Sequence, residues 1–295
     1  MTDLKLGLCL PTIANLDNLR AAGGIGAAAR HAEQLGFESV WVADFDMGDG
    51  TPALDSVMAL GVAAEATERI NLGFSVYVLP LHAPVRTAAE IASLQYVSGG
   101  RVLFGVGSGG FPRAPFWPAL GVAPADRGRL TDEALDLLPS LVSGAPTETR
   151  GVTVTIAPAA KMPPVLIGGS AAPRTLDRVV KYDAEWFPSL VPHGVLADGV
   201  AKLRDLAGKE PMVTVGGHHI ADRAYFDAFV RDLTSTFGIP PEEAPAVPIF
   251  GGPQEIAERL AGYAEAGAHR VALALDGDDW LRQAEQLAEG HALLR

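Results

Sequence analysis

A closed (β/α)8 barrel of the TIM-barrel class is the architecture this sequence predicts, and three observations carry the prediction. Eight short apolar runs recur along 295 residues, and each is followed by at least one stretch with helical spacing. The runs are apolar throughout rather than alternating, as in parallel strands covered on both faces. That strict alternation over about 250–300 residues is the signature of the barrel. An open doubly wound sheet is the competing arrangement, but it carries a glycine fingerprint after its first strand. Here "LCLPTIAN" stands in that place.

The elements follow in order. Residues 4–10, "LKLGLCL", form an apolar run ended by Pro11, hence a strand. In 24–36, Ile25, Ala28, Ala29, Ala32 and Leu35 recur at helical spacing until Gly36 stops them. Strand 38–45 and helix 53–68 come next, then strand 70–78, helix 84–98 with Pro84 in its first turn, and strand 101–107. The Pro- and aromatic-rich segment 110–121 reads as an ordered loop, followed by a helix over 127–144. Residues 152–158 suit a small hairpin strand outside the main sheet. Strand 163–169, helix 172–182, strand 183–190, helix 195–208 and strand 211–219 continue the alternation. Two helices, 223–238 and 252–267, precede strand 269–275 and a final helix over 278–294. No low-complexity linker divides the chain, so residues 1–295 are expected to form a single barrel domain.

The net charge of −12, with no block of Lys or Arg, argues against nucleic-acid and anionic-membrane partners. The single cysteine, Cys9, lies in an apolar run and reads as a small buried hydrophobe. No apolar run approaches the ~18 residues of a membrane span and no signal peptide opens the chain, so a cytoplasmic location is expected.

In a barrel the site lies at the C-terminal ends of the strands. That geometry nominates residues 11–12, 44–45, 75–79, 107–110, 168–170, 188–190, 216–219 and 275–276. Glycines after the fourth strand, "GVGSGG", and the fifth, "IGGS", let backbone N–H groups approach a ligand. Gly168, Gly169 and Ser170 before a helix could cradle an anion, or could simply make a tight turn. Asp44 is a carboxylate in a site position. His218 and His219 end the seventh strand; successive strand residues point opposite ways, so one of the two faces the barrel mouth, as a general acid/base or a substrate hydrogen-bonding group. A metal site is not expected from this pair. His193 is a third candidate at the mouth, and Arg129, Arg113 and Arg174 could meet a phosphate. His82, just before a helix, suits capping or packing, and His31, His269 and His291 suit the surface. The aromatic stretch 111–118 either covers the mouth, favouring an apolar substrate, or packs as a loop. Few catalytic groups around a wide mouth suggest an enzyme whose cofactor does the hard chemistry.

The stretch 70–110, "INLGFSVYVLPLHAPVRTAAEIASLQYVSGGRVLFGVGSGG", resembles the central signature of the bacterial luciferase-like flavin-dependent oxidoreductases. "HAEQLGFESVWVADF" (31–45), "PPVLIGGS" (163–170) and "GGPQEIAERLAGYAEAGAHRVAL" (251–273) are similar to further parts of that family. The resemblance implies a (β/α)8 barrel with FMN or coenzyme F-420 at its mouth, monooxygenation or hydride transfer on a small organic substrate, and a homodimer. It implies a non-proline cis peptide at Ser75–Val76 behind the flavin ring and places Asp44 near a deazaflavin ring. It also puts Gly107 and Gly109 beside the cofactor tail, Gly168, Gly169 and Ser170 at its phosphate, and Arg129 on a flavin phosphate. The sequence departs from some members at Phe45, where they carry His, at Ser108, where they carry Arg, and at Gly110, where one carries a catalytic Glu. Those departures motivate an alternative, a non-catalytic flavin-binding barrel. An aldolase-type barrel would need a strand-end Lys, and none is placed there.

Overall fold

The apolar runs pair edge to edge as parallel strands until the sheet closes on itself. The computed structural model describes residues 4–44 and 48–294. Its strands are β1 (Lys5–Cys9), β2 (Ser39–Val42), β3 (Asn71–Phe74), β4 (Tyr77–Val78), β5 (Val102–Gly107), β6 (Thr147–Thr149), β7 (Val152–Val154), β8 (Val165–Gly168), β9 (Glu185–Phe187), β10 (Thr214–Ile220), β11 (Ile249–Phe250) and β12 (Arg270–Asp276). The helices are α1 (Leu16–Ala21), α2 (Ile25–Gln34), α3 (Ser56–Ala66), α4 (Pro84–Ser98), α5 (Phe116–Ala119), α6 (Arg127–Val142), α7 (Pro173–Lys181), α8 (His193–Ala207), α9 (Arg223–Ser235), α10 (Pro253–Glu265) and α11 (Trp280–Ala292).

The strand order β10-β12-β1-β2-β3-β5-β8-β9 runs around the barrel. Parallel bridges Trp186–Val213 and Ser189–Gly216 join β9 back to β10 and close it. The short strand β11, which lay unmarked between two expected helices, pairs with the last two residues of β10. The expected strand 70–78 is interrupted: β3 pairs with β2 and β5, Ser75 and Val76 leave the ladder, and β4 rejoins β5 at Val106 and Gly107. The Ser75–Val76 peptide bond is cis. The hairpin expected over 152–158 is β7, antiparallel to β6 and outside the barrel.

Two apolar layers hold these elements. Outside the sheet, the alanine faces of α2 (Ala28, Ala29, Ala32), α3 (Ala59, Ala63) and α4 (Ala88, Ala92) are fully buried and let helices approach the strands closely. Inside it, Trp41, Leu103, Leu166, Phe187 and Ala272 form a separate cluster, with Trp41 and Phe187 rings 5.3 Å apart. Trp41 fills the barrel at the expense of its neighbours. A Cβ on Gly73 would lie 2.1 Å from the Trp41 ring, and one on Gly7 2.3 Å from its indole nitrogen. Glycine at both positions is what admits so large a side chain.

Below this layer, at the N-terminal end of the barrel, Arg270 is 4% exposed. Its guanidinium reaches Glu38 before β2 and Glu185 of β9, both at 3.0 Å, and donates to Thr214 of β10 at 2.9 Å. The barrel is therefore plugged at one end by ion pairs and in the middle by aromatic packing, which leaves the C-terminal end for a site. Among the described residues no helix is long and apolar enough to cross a membrane.

Candidate active site

A cleft of about 1250 Å³ opens at the C-terminal ends of the strands. Its floor is the top of the inner aromatic layer, with Phe187, Cys9 and Val76. One wall is the β1–α1 segment from Leu10 to Asn15, a second is the segment after β5 with Phe111, Phe116 and Trp117, and a third is α9 with Tyr225, Phe229 and Asp232. The aromatic stretch thus serves both roles open to it. Phe111 and Phe116 face the cleft, and Trp117 is 2% exposed and donates from Nε1 to the Phe111 carbonyl at 2.9 Å, which orders the loop. Phe111 and Phe237 meet edge to face at 6.5 Å across the top.

Most of the strand-end candidates converge here. Asp44, Ser75, Val76, Gly107, Gly109, Gly168, Gly169 and His218 all line the cleft. The cis bulge brings Val76 to the centre of the floor, and two of the glycines exist for it. A Cβ on Gly107 would come within 2.5 Å of a Val76 methyl, and one on Gly168 within 3.1 Å of the other. Gly109 is left-handed at φ +86°, and a Cβ there would lie 2.4 Å from the Trp117 ring. Val76 thus fills the Cβ space at Gly107 and Gly168, and Trp117 that at Gly109.

Four candidates stand elsewhere. His219 points away from the cleft, as strand alternation requires of one member of the pair. It is fully buried between β10 and α11, with Gln283 Oε1 at 3.1 Å from Nδ1 and the Gly251 carbonyl at 3.2 Å from Nε2, and burial holds its pKa below the ordinary value. Arg129 is on the outer face of α6, more than half exposed, and is paired with Asp126 and Glu133 of the same turn and the next. It is not among the residues that line the cleft. Ser170 is exposed and lies beyond Gly169 at the rim, outside the lining of the cleft. His193 opens α8 and packs edge-on against Tyr263, ring centroids 4.4 Å apart, instead of facing the mouth. Phe45 lies outside the described residues.

Sequence reasoning passed over two acid–histidine pairs. His82 Nε2 is 2.7 Å from Asp44 Oδ2, the same oxygen that accepts the Val78 N–H at 3.0 Å. The His82 ring lies 4.2 Å from that of Tyr77, whose hydroxyl donates to Glu90 at 2.9 Å. Asp44 is thereby fixed against the β4 backbone with its side chain 7% exposed. On the opposite side His218 Nδ1 is 2.5 Å from Asp276 Oδ2. Between them Cys9 Sγ sits 3.9 Å from Ser75 Oγ, and burial pushes the thiol from 9.0 up to about 12, so it is a protonated wall group and no nucleophile. Among the described residues, the charged side chains of the lining are Asp44, Asp232 and Asp276, with no Lys or Arg. Positive potential lies at the rim instead, where α7 starts with Pro173 and the exposed Arg174 after Gly169 and Ser170.

Comparison with known proteins agrees with this geometry. Among curated proteins, a 4-hydroxyprotoasukamycin monooxygenase of Streptomyces nodosus subsp. asukaensis is 35% identical over 122 residues, covering 41% of this chain and 32% of that protein. A limonene 1,2-monooxygenase of Rhodococcus erythropolis is 34% identical over 114 residues, 39% of this chain and 29% of that protein. The chain therefore spans about a third of the length of these curated relatives. Among solved structures, an F-420-dependent secondary alcohol dehydrogenase shares the fold over 100% of both chains with a TM-score of 0.78 at 18% identity. The oxygenating constituent of a Pseudomonas putida 3,6-diketocamphane monooxygenase, solved with FMN, covers 97% of this chain and 96% of its own with a TM-score of 0.74 at 15% identity. The profile described as luciferase-like monooxygenase matches residues 6–233, and with the (β/α)8 barrel already in place the chain belongs to the luciferase-like monooxygenase family.

Proposed function

We propose that this protein is a flavin- or deazaflavin-dependent oxidoreductase that acts on a small, mostly apolar organic substrate. The observation that carries the reading is the floor of the cleft. The Ser75–Val76 bulge lifts two methyl groups into it, seated against Gly107 and Gly168, and gives a flat heteroaromatic ring an apolar support at the barrel mouth.

The residues present fit such a group. Single-ligand pockets run to about 1,000 Å³, and a cleft of about 1250 Å³ has room for a cofactor with a substrate beside it. The ring would rest on Val76, with Asp44 beside it. A phosphate finds no cation among the described residues of the lining, so the anionic tail would leave along 107–110 toward Gly169, Ser170, the start of α7 and Arg174. When bound, FMN or coenzyme F-420 supplies two-electron transfer, and reduced FMN can also engage oxygen. The chain's own contribution is orientation and exclusion of water: Phe111, Phe116, Trp117 and Phe229 wall off the reacting region. Asp44, held by Val78 N–H and His82, presents a fixed carboxylate to it.

Two of the sequence relatives are monooxygenases by name, and turnover of small apolar compounds with reduced FMN in air is the first activity to try. The alternative within the same reading, hydride transfer with coenzyme F-420, is followed anaerobically by the loss or gain of deazaflavin absorbance. Titration of the full chain with FMN and with F-420 decides between them. Binding of one of them, with fluorescence quenching that is weakened at least tenfold by Val76→Asp, is the expected outcome. A chain that binds neither ends the reading.

A further inference from the structure

The second acid–histidine pair lies on the side of the cleft opposite Asp44, and its geometry is specific. β10 and β12 run parallel with His218 level with Ala274 and Ile220 level with Asp276. Across this register Asp276 Oδ2 meets His218 Nδ1 at 2.5 Å. Phe229 of α9 covers the imidazole with ring centroids 4.7 Å apart, so the ring is clamped between a carboxylate and an aromatic face. Both members of the pair line the cleft and are about one-third exposed to it, at 29% and 35%.

A carboxylate only accepts hydrogen bonds, so the proton of the neutral ring sits on Nδ1 and Nε2 keeps its lone pair. Nε2 has no protein partner among the described residues. Around it the lining carries Gly216, Gly217, Leu190, Phe229 and Phe237, while Asp232 and Thr236 are hydrogen-bonded to each other. In this ring form Nε2 presents an unpartnered hydrogen-bond acceptor to the cleft beside mostly apolar side chains. An apolar molecule with no donor leaves that acceptor unpaired once it excludes water, and a carbonyl or ether meets it lone pair to lone pair.

We infer that His218, held by Asp276, anchors the substrate by accepting a hydrogen bond at Nε2 from a hydroxyl group on an otherwise apolar molecule. This rests on the proposed reading of the cleft as a substrate site. His218 is the group that touches the substrate; Asp276 is a positioning residue that sets which ring nitrogen bears the proton. An amide in place of Asp276 can donate to Nδ1, which moves the ring proton to Nε2 and turns the acceptor into a donor.

The test has two readouts on the full chain, each free of turnover. In ¹⁵N-histidine NMR, with the His218 signals assigned by their loss in His218→Gln, the wild-type ring shows the Nδ1–H form, and Asp276→Asn and Asp276→Ala shift it to Nε2–H. A wild-type ring in the Nε2–H form, or one unchanged in both variants, overturns the positioning role. For binding, the probes are 1-naphthol and 1-methoxynaphthalene, similar in size and differing in the hydroxyl proton, without cofactor and again with excess FMN. Wild type favours the naphthol about tenfold, the size of one net hydrogen bond in an apolar site. Asp276→Asn and His218→Gln bring the two within about twofold, and Asp276→Glu restores part of the preference. Equal binding of both probes by the wild-type chain overturns the anchor. The cofactor titrations report separately: a chain that binds neither FMN nor F-420 but shows the Nδ1–H ring and the naphthol preference loses the oxidoreductase reading and keeps the hydroxyl anchor.

Discussion

Cys9 shows how far a residue's surroundings determine its chemistry. Its thiol faces a ligand cleft, which in an exposed setting would make it a target for electrophiles. Burial is the main cause that raises it to about 12; the Ser75 hydroxyl pulls it down and the Asp276 charge adds to the rise. Thiol reagents attack the thiolate, and moving the value from 9.0 to about 12 cuts the thiolate fraction at pH 8 by about a thousandfold. The native chain is therefore expected to react with a disulfide reagent such as DTNB at pH 8 at least a hundredfold more slowly than the same chain in 6 M guanidinium. Stopped-flow labelling measures both rates, and comparable rates would show an exposed, ordinary thiol. From the sequence, Cys9 was legible as a buried small residue but not as part of the site. At this scale the pairings stay hidden in general. Asp44 and His82 are 38 residues apart and His218 and Asp276 are 58 apart, and only closure of the barrel brings each pair within hydrogen-bonding distance.

Elements hold each other through their ends as well as their faces. A helix leaves its last carbonyls without partners, and the exits of α3 and α4 solve this with one side chain. Arg101, which follows α4, donates from Nη2 to the carbonyls of Ala64 and Thr67, from Nη1 to that of Ile70, and from Nε to that of Ser98. The guanidinium fork spans two helix ends and the start of β3 at once, and its charge lies at the negative end of both helix dipoles. Lysine keeps the charge but cannot reach four carbonyls. Arg101→Lys is expected to destabilise the fold by about 1–3 kcal/mol, measured as a shift of the urea midpoint with an unchanged slope. A shift within error would mean that water serves those carbonyls as well. Elements were the most legible scale. Apolar runs and helical spacing place each barrel strand and its helix, because local pattern and burial agree. The exceptions are places where pattern carries no signal: β11 is two residues long, α1 is a single irregular turn and a half, and the break at Ser75–Val76 sits inside an unbroken apolar run, where only family resemblance pointed to it. Arg129, which resemblance set on a flavin phosphate, lies among the carboxylates of Asp126 and Glu133, a local pairing that the resemblance does not convey.

The whole molecule is a tube that must be closed at one end to be open at the other. Arg270 does much of the closing, and its two carboxylate partners make the barrel sensitive to acid. Burial on its own would raise the Glu38 carboxyl, but the hydrogen bonds and charge of Arg270 more than reverse this and leave it below its ordinary 4.5. Glu185 behaves alike: burial raises it, and the hydrogen bond with His269 and the charge of Arg270 bring it down. Both groups bind protons less readily in the folded state than in the unfolded chain. The stability they contribute is complete above the unfolded value near 4.5 and is lost as pH falls below it toward the folded values. Removing the cation reverses the balance. In Arg270→Met the two carboxylates remain buried without their partner, at a cost of about 3–5 kcal/mol at pH 7. With Arg270 gone, Glu38 loses the main counterweight to its burial, so its carboxyl takes up a proton on folding more readily and the penalty shrinks as pH falls. Urea unfolding of wild type and Arg270→Met at pH 7 and pH 4 is therefore expected to give a large difference at the first and a smaller one at the second. An equal difference at both would trace the loss to packing around the Arg270 side chain and leave the ion pairs without a part in closing the barrel.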